Sequence, residues 1–179
     1  MNSTSYCEVI SIKPIGEGLR VCIDFVDALS PDEGVMVGNT GHGYILLLSE
    51  NIATETYPAR PFRVNAGALH QYLRLEGEET CYLSELMPGD SVPVYSRDTK
   101  RTVPVGRVKI ERRDLLRIEC KVDDKVISCT VQTSDSIHFS GEDKPIDAIS
   151  LKVGDKISCV IDEPGRHLGK RKEEYIDEK

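Results

Sequence analysis

A mainly β fold with little helix is what this sequence predicts, and three observations predict it. Runs rich in β-branched and aromatic residues recur nearly throughout, at roughly 8–12-residue spacing. Clusters of Gly, Pro, Asn and Asp stand between them as turn signals. No long stretch carries the 3.6-residue apolar period of an amphipathic helix. The pattern suggests small barrel-like units.

In the first half the expected strands are Cys7–Ile12, Leu19–Phe25, Val35–Gly38, Tyr44–Ser49, Phe62–Val64 and Leu69–Leu75. In the second they are Ser91–Tyr95, Val103–Arg112, Leu115–Val122, Val126–Thr133 and Lys156–Ile161. Turns are expected between them, at Pro14–Gly18 and Pro88–Asp90 among others. Only Asn51–Tyr57 and the tail Lys170–Lys179 are expected to hold a helical turn or two. One internal echo stands out: Leu86-Met87-Pro88-Gly89-Asp90-Ser91-Val92 returns in type as Leu151-Lys152-Val153-Gly154-Asp155-Lys156-Ile157. It suggests duplicated units, with one subdomain over residues 1–78 and a second over 79–179.

The 179 residues carry a net charge of −7. An acidic chain does not suit general binding to nucleic acid or to an anionic membrane, although a local basic cluster can still hold a small anion. No apolar run approaches the ~20 residues that cross a bilayer, and the first residues lack the features of a signal peptide. A cytoplasmic protein is expected. The six cysteines form no C-x-x-C pair and sit mostly in strand-like contexts, as reduced, packed thiols do. No metal centre is indicated. Gly38–Gly43 is glycine-rich but lies between two β-runs, so it reads as a hairpin loop rather than a dinucleotide-binding turn.

Three segments carry possible chemistry. In Arg60-Pro61-Phe62-Arg63-Val64-Asn65-Ala66-Gly67, two arginines offer planar forks for a carboxylate or phosphate. Asn65 adds an amide, Gly67 opens the main chain to a close approach, and His70 follows with a pKa near neutrality. A plain turn with solvated arginines and a surface histidine accounts for these residues equally well. In Gly106-Arg107-Val108-Lys109-Ile110-Glu111-Arg112-Arg113, strand alternation puts Arg107, Lys109 and Glu111 on one face and Val108, Ile110 and Arg112 on the other. Lys109 and Glu111 can hold each other charged or position an acid/base pair. The commoner reading is an exposed polar strand face. Gly165-Arg166-His167-Leu168-Gly169 brackets Arg-His between glycines, as an anion site or a hairpin tip would.

Together these motifs resemble the archaeal-type (type II) 3-dehydroquinate synthases, in their C-terminal half only. The R-P-F-R-V-N-A-G and G-R-V-K-I-E-R-R segments stand intact at Arg60–Gly67 and Gly106–Arg113. Arg20-Val21-Cys22-Ile23-Asp24, Tyr82–Leu86, Gly165–Gly169 and Glu178-Lys179 match further family segments in order. Phe25-Val26-Asp27 departs from the Thr-Cys-Ser usual there.

The resemblance implies an activity in aromatic amino-acid biosynthesis: NAD-dependent oxidative deamination of an amino-dideoxy-heptulosonate, then aldol closure to 3-dehydroquinate. It implies NAD as cofactor, a small anionic substrate, and an N-terminal half supplied elsewhere, for instance by a separate chain. Arg60, Arg63, Arg112 and Arg166 are then expected as anchors beside Asn65 and Gly67. His70, Glu85, Lys109, Glu111 and His167 are the expected acid/base groups. Two other accounts are a related cyclase forming 3-amino-4-hydroxybenzoate, and a ligand-binding β-domain without turnover.

Overall fold

Two long strands organise this computed structural model, which describes residues 5–163, the backbone of 166–167 and 170–171, and residues 176–179. They are β1 (Ser5–Phe25) and β8 (Lys100–Val122), paired antiparallel from Glu8↔Lys121 to Phe25↔Val105. Between them in the chain come β2 (Gly34–Gly38), β3 (Gly43–Leu48), β4 (Arg63–Ala68), β5 (Tyr72–Arg74), β6 (Thr80–Tyr82) and β7 (Ser91–Tyr95). After them come β9 (Lys125–Gln132), β10 (His138–Ser140), β11 (Pro145–Asp147), β12 (Lys156–Ile161) and the two-residue β13 (Arg166–His167) and β14 (Lys170–Arg171).

The fold is mainly β, as expected, and twelve of these strands join in one large antiparallel sheet. Its order is β11-β10-β3-β12-β1-β8-β7-β2-β5-β6, with β4 on the free side of β1 and β9 on the free side of β8. A further β2–β3 pairing returns the order on itself. Strands from residues 1–78 and 79–179 alternate within this sheet, since β1 pairs with both β8 and β12.

Two pairs of expected strands are each continuous, and the turn expected within the first pair does not turn the chain. The strands expected at Cys7–Ile12 and Leu19–Phe25 are one strand, because Pro14–Gly18 is absorbed as a register shift between Pro14 and Gly16, with Gly16 at φ +93°. Likewise Val103–Arg112 and Leu115–Val122 run together as β8. The expected strand Leu69–Leu75 begins as a turn and becomes strand only at β5, and β4 reaches on to Ala68. Asn51–Tyr57 forms no helix; the one helical element among the described residues is a 3-10 turn at Leu83–Glu85. Of the expected helical tail, Lys170 and Arg171 are strand and 172–175 lie outside the described residues.

The sequence echo has a structural basis. Gly89 and Gly154 take φ of +94° and +99°. In each turn the following aspartate closes on the chain three residues back, Asp90 accepting from Met87 N and Asp155 from Lys152 N, both at 2.8 Å. Each glycine N–H then docks on one of the long strands, Gly89 on Val105 O and Gly154 on Val9 O.

Strand alternation divides the β4–β1–β8 region into two faces. Val21, Ile23, Phe25, Val64 and Ala66 are buried on the core face, beside Val35, Val37, Ile45, Leu47 and Phe139 from other strands. All six cysteines are free thiols, buried except for half-buried Cys81. The β4 and β9 backbones meet across Gln71, whose Nε2 donates to Ala66 O and Thr130 O while its Oε1 accepts Thr130 N. Gly67, at φ +86°, sits where a Cβ would lie 2.1 Å from Thr130 O. The close approach that Gly67 permits is therefore that of the neighbouring backbone, which leaves no room there for a substrate.

Gly67→Ala is expected to lower stability by ~2 kcal/mol or more, combining left-handed strain with displacement of β9. Urea unfolding of the two proteins measures it, and an unchanged midpoint would contradict this packing.

Candidate functional site

The second face of β4–β1–β8 is polar, and register makes it so. On β1 the alternating residues are Arg20, Cys22 and Asp24. Opposite them on β8 stand Glu111, Lys109 and Arg107, and on β4 Asn65 faces Cys22 while Arg63 faces Asp24. The family-like segments at Arg20–Asp24, Arg60–Gly67 and Gly106–Arg113 thus become neighbouring strands with their polar positions in line.

Asp24 is the centre. Its carboxylate is 2% exposed. It accepts from Arg63 Nε at 2.7 Å and Nη2 at 3.0 Å, and from Arg107 Nε at 2.7 Å. Burial pulls its pKa upward, but the hydrogen bonds from Arg63 and Arg107 outweigh burial and hold it below the ordinary carboxylate value. Arg63 is fully engaged. Arg107 uses only Nε on Asp24 and remains largely exposed, with its Nη groups free of described partners.

A second knot lies four residues along β1 and β8. Arg20, itself buried, donates Nη2 to Glu111 Oε1 at 2.6 Å and Nη1 to Gln132 Oε1 at 2.9 Å. Asn65 Nδ2 donates to the same Gln132 oxygen at 2.9 Å. Glu111 also pairs with Arg113 at 2.9 Å and Lys109 at 3.5 Å. Burial pulls the Glu111 pKa up, yet Arg113, Lys109 and Arg20 hold it below its ordinary value.

The third knot is Glu50, a buried carboxylate paired with Arg60, whose guanidinium also lies 4.9 Å from the Tyr57 ring centre. Burial raises the Glu50 pKa against the opposing pull of Arg60, then Arg63 and Arg20. Cys22 lies among these charges with no exposed surface, and burial pushes its thiol up to about 11. It is not a ready nucleophile.

Two features of this face point to a ligand. Six cations (Arg20, Arg60, Arg63, Arg107, Lys109, Arg113) meet only three carboxylates (Asp24, Glu50, Glu111), an excess of three positive charges. Buried polar atoms also lack partners here: Arg20 Nε, Arg60 Nε and Asn65 Oδ1. Beside them a groove of about 490 Å³ runs between Asp24–Ala28, Pro61-Phe62 and Gly106-Arg107. The Phe25-Val26-Asp27 departure falls in its wall, where Val26 presents an exposed apolar side chain.

The remaining expected residues are placed apart. His70 sits beyond β4, with Nε2 2.9 Å from Asn39 Oδ1; desolvation, then Arg117, holds its pKa below the ordinary value. Glu85 accepts Tyr82 N at 2.8 Å and so caps the 3-10 turn, away from the charged strands. Arg112 points to the opposite side of β8, as alternation requires, and Arg113 takes the site-facing position next to Glu111. The side chains of Arg166 and His167 lie outside the described residues. Residues the sequence reading missed are Arg20, Asp24, Glu50, Arg107, Arg113, Gln132 and Asn39. Those on β1 and β8 had a signal, the same two-residue alternation; Glu50, Gln132 and Asn39 had none, because distant pairing brings them in.

The glycine-rich loop does not form a dinucleotide-binding turn. Gly38–Gly43 joins β2 to β3 with no helix after it, and its amides are spent: Asn39 N donates to Ser128 O and Gly41 N to Glu178. Among the described residues no group of three or more His, Cys, Asp or Glu is placed to hold a metal ion. No helix of the described residues is long and apolar enough to cross a membrane.

Comparison with known proteins agrees with the motifs. Residues 6–179 match the 3-dehydroquinate synthase II C-terminal domain. The chain is 42% identical over 177 residues to a 3-dehydroquinate synthase of Methanopyrus kandleri, covering 96% of this chain and 44% of that protein. It is 42% identical over 174 residues to a 3-dehydroquinate synthase homolog of Aquifex aeolicus, covering 96% and 53%. With the 3-dehydroquinate synthase of Methanosarcina mazei it shares 42% over 173 residues, covering 96% and 45%. No solved structure matches. The chain belongs to the 3-dehydroquinate synthase II family, as its C-terminal domain, and spans about half the length of these curated relatives.

Removing Asp24 strands Arg63 in a buried place, so Asp24→Ala is expected to cost about 3–5 kcal/mol. The sign with pH follows from the lowered pKa of Asp24. Its stabilisation is complete above the unfolded value, near ~3.9, and is lost as pH falls through the folded value. Glu50, with a raised pKa, contributes in the opposite sense and loses stability as pH rises through its folded value. Chemical denaturation from neutral to acid pH should therefore show a steeper acid loss in the native chain than in Asp24→Asn. Identical acid limbs would rule out Asp24 as their source.

Proposed function

We propose, on the premise of that family membership, that this chain is the substrate-anchoring half of a 3-dehydroquinate synthase II-type enzyme. The observation that carries the reading is the excess of three positive charges on the β4–β1–β8 face of an otherwise acidic chain. Such a face attracts a small carboxylate-bearing substrate and fixes its orientation.

The roles divide by how far each group is already committed. Arg63, Arg20 and Arg60 are buried or half-buried and paired, so they shape the floor and set its potential. Arg107 and Lys109 are exposed, and Arg107 keeps its outer guanidinium fork open beside the groove. They are the anchors for the substrate carboxylate, Arg107 by paired hydrogen bonds and Lys109 as a point charge. Proton transfers fall to His70, which stays neutral at ordinary pH, and to Glu50, whose raised pKa brings it nearer to neutrality. The reaction proposed is the family's conversion of an amino-dideoxy-heptulosonate to 3-dehydroquinate in aromatic amino-acid biosynthesis, a cytoplasmic route. NAD, which that reaction uses, is assigned to the region of the relatives that this chain does not match. That region is the proposed partner, on the same or a separate polypeptide.

Two measurements test the reading. Titration calorimetry of the chain with the amino-dideoxy-heptulosonate should show binding, and Arg107→Ala with Lys109→Ala should weaken it at least ~10-fold, as the loss of charge-assisted hydrogen bonds does. Affinity that ignores both substitutions would sink the anchoring role. Mixing the chain with the unmatched region, NAD and substrate should produce NADH, with neither component active alone. Binding without turnover in the mixture would leave a ligand-binding domain and overturn the enzymatic reading.

A further inference from the structure

Outside the charged strands, one polar network has no structural duty that explains its arrangement. Asn39 follows β2, and its side chain reaches Ser128 and Thr130 on β9 and His70 beyond β4. Its Nδ2 donates to Ser128 Oγ at 3.1 Å, while Oδ1 accepts from Thr130 Oγ1 at 2.9 Å and lies 2.9 Å from His70 Nε2. Its backbone N–H donates to Ser128 O, which anchors the residue from a second side. Ser128 and Thr130 are buried on the face of β9 that also carries Gln132, the residue joining Arg20 to Asn65. Successive residues of that face are about 6.5 Å apart, so Asn39, on Thr130, lies one such step along β9 from Gln132, and His70 is joined to β9 through Asn39.

The donor and acceptor inventory decides the state of the imidazole. With its amide nitrogen directed at Ser128, Asn39 offers only an acceptor to His70. With the amide oriented this way, an Nε2–H completes the hydrogen bond to Asn39 Oδ1, and in the neutral ring that leaves Nδ1 unprotonated. No described residue occupies Nδ1. The charged group bearing on the ring is Arg117 on β8, which disfavours imidazolium and itself lies 3.7 Å from Glu119.

We infer that Asn39 is a positioning residue, whose amide oxygen directs the single proton of the unionised His70 ring to Nε2 and leaves Nδ1 as the free proton acceptor. The inference rests on the proposed function only for the use to which that acceptor is put. The tautomer itself is a property of the isolated chain.

Long-range proton–nitrogen NMR of the histidine side chains in the full chain, with His70 assigned by His70→Gln, tests it. Nε2 should carry the protonated-nitrogen signature and Nδ1 the unprotonated one, with a midpoint below the ordinary ~6.5. Asn39→Ala should mix the tautomers. Asn39→Asp, which keeps the acceptor and the shape, should preserve the Nε2–H form and raise the midpoint by about one unit or more, since a carboxylate favours imidazolium. A dominant Nδ1–H form in the native chain, or a midpoint unmoved in Asn39→Asp, would overturn the inference. That second criterion holds even if Asn39→Ala fails to fold. In the reconstituted enzyme Asn39→Asp should shift the acid limb of kcat/KM upward. An inactive mixture with the expected NMR signature would count against the proposed function and leave the tautomer standing.

Discussion

The register of β4–β1–β8 is the constraint on which the rest depends. A one-residue slip of β1 against either neighbour would carry Arg20, Cys22 and Asp24 into the core and expel Val21, Ile23 and Phe25. Apolar burial alone sets which face is inside. The Asp24 carboxylate sets the alignment along the strands, because it must meet Arg63 on one side and Arg107 on the other. Neither partner is dispensable to the geometry: with one guanidinium fewer, Asp24 would lose charge-assisted hydrogen bonds, and burial would draw its pKa up as it does for Glu50 beside Arg60.

That alignment also concentrates charge. Asp24 and Glu111 are each outnumbered by cations, and the surplus sits on the exposed side chains Arg107, Lys109 and Arg113 rather than on the buried ones. A positive edge over a floor of fixed ion pairs needs little reorganisation when an anion arrives. The groove next to Arg107 supplies the adjoining apolar wall through Phe62 and Val26. Phe25-Val26-Asp27, where the chain departs from the family resemblance, lines this wall rather than the floor of ion pairs, so in the proposed function it bears on what fits beside a bound carboxylate more than on how the carboxylate is held.

Much of this was legible in the sequence, and the boundary of what was legible is physical. Alternation placed Arg107, Lys109 and Glu111 on one side of β8 and Arg112 on the other, which is where the structure has them. The same alternation in Arg20–Asp24 marked Arg20 and Asp24, although nothing local says that their side of the strand meets other charges. Pro14–Gly18 read as a turn because Pro and Gly permit one; pairing along β8 on both sides of it kept the strand extended and used Gly16 to absorb a bulge instead. Gly67 was correctly marked as a position needing freedom from a Cβ, but the cause was invisible, since Thr130 lies 63 positions further along the chain. Glu50, Gln132 and Asn39 belong to the same class: their roles exist only through pairing between distant strands.

The titration behaviour of the face sorts its acidic groups by use. Asp24 and Glu111 are held ionised by guanidinium neighbours, and a carboxylate stabilised in its charged form is a weak base and carries protons poorly near neutrality. They act by fixing arginines. Glu50 is the exception among the three, since its burial exceeds what its cations repay. Residues with opposed shifts on one surface are the usual arrangement when acid/base work and electrostatic work are divided. On that division Lys109 and Glu111, the pair most suggestive of acid/base chemistry in the sequence, belong to the electrostatic part. In the proposed function the proton-carrying part falls to Glu50, which only distant pairing brings to the face, and to His70, whose pKa desolvation and then Arg117 hold down.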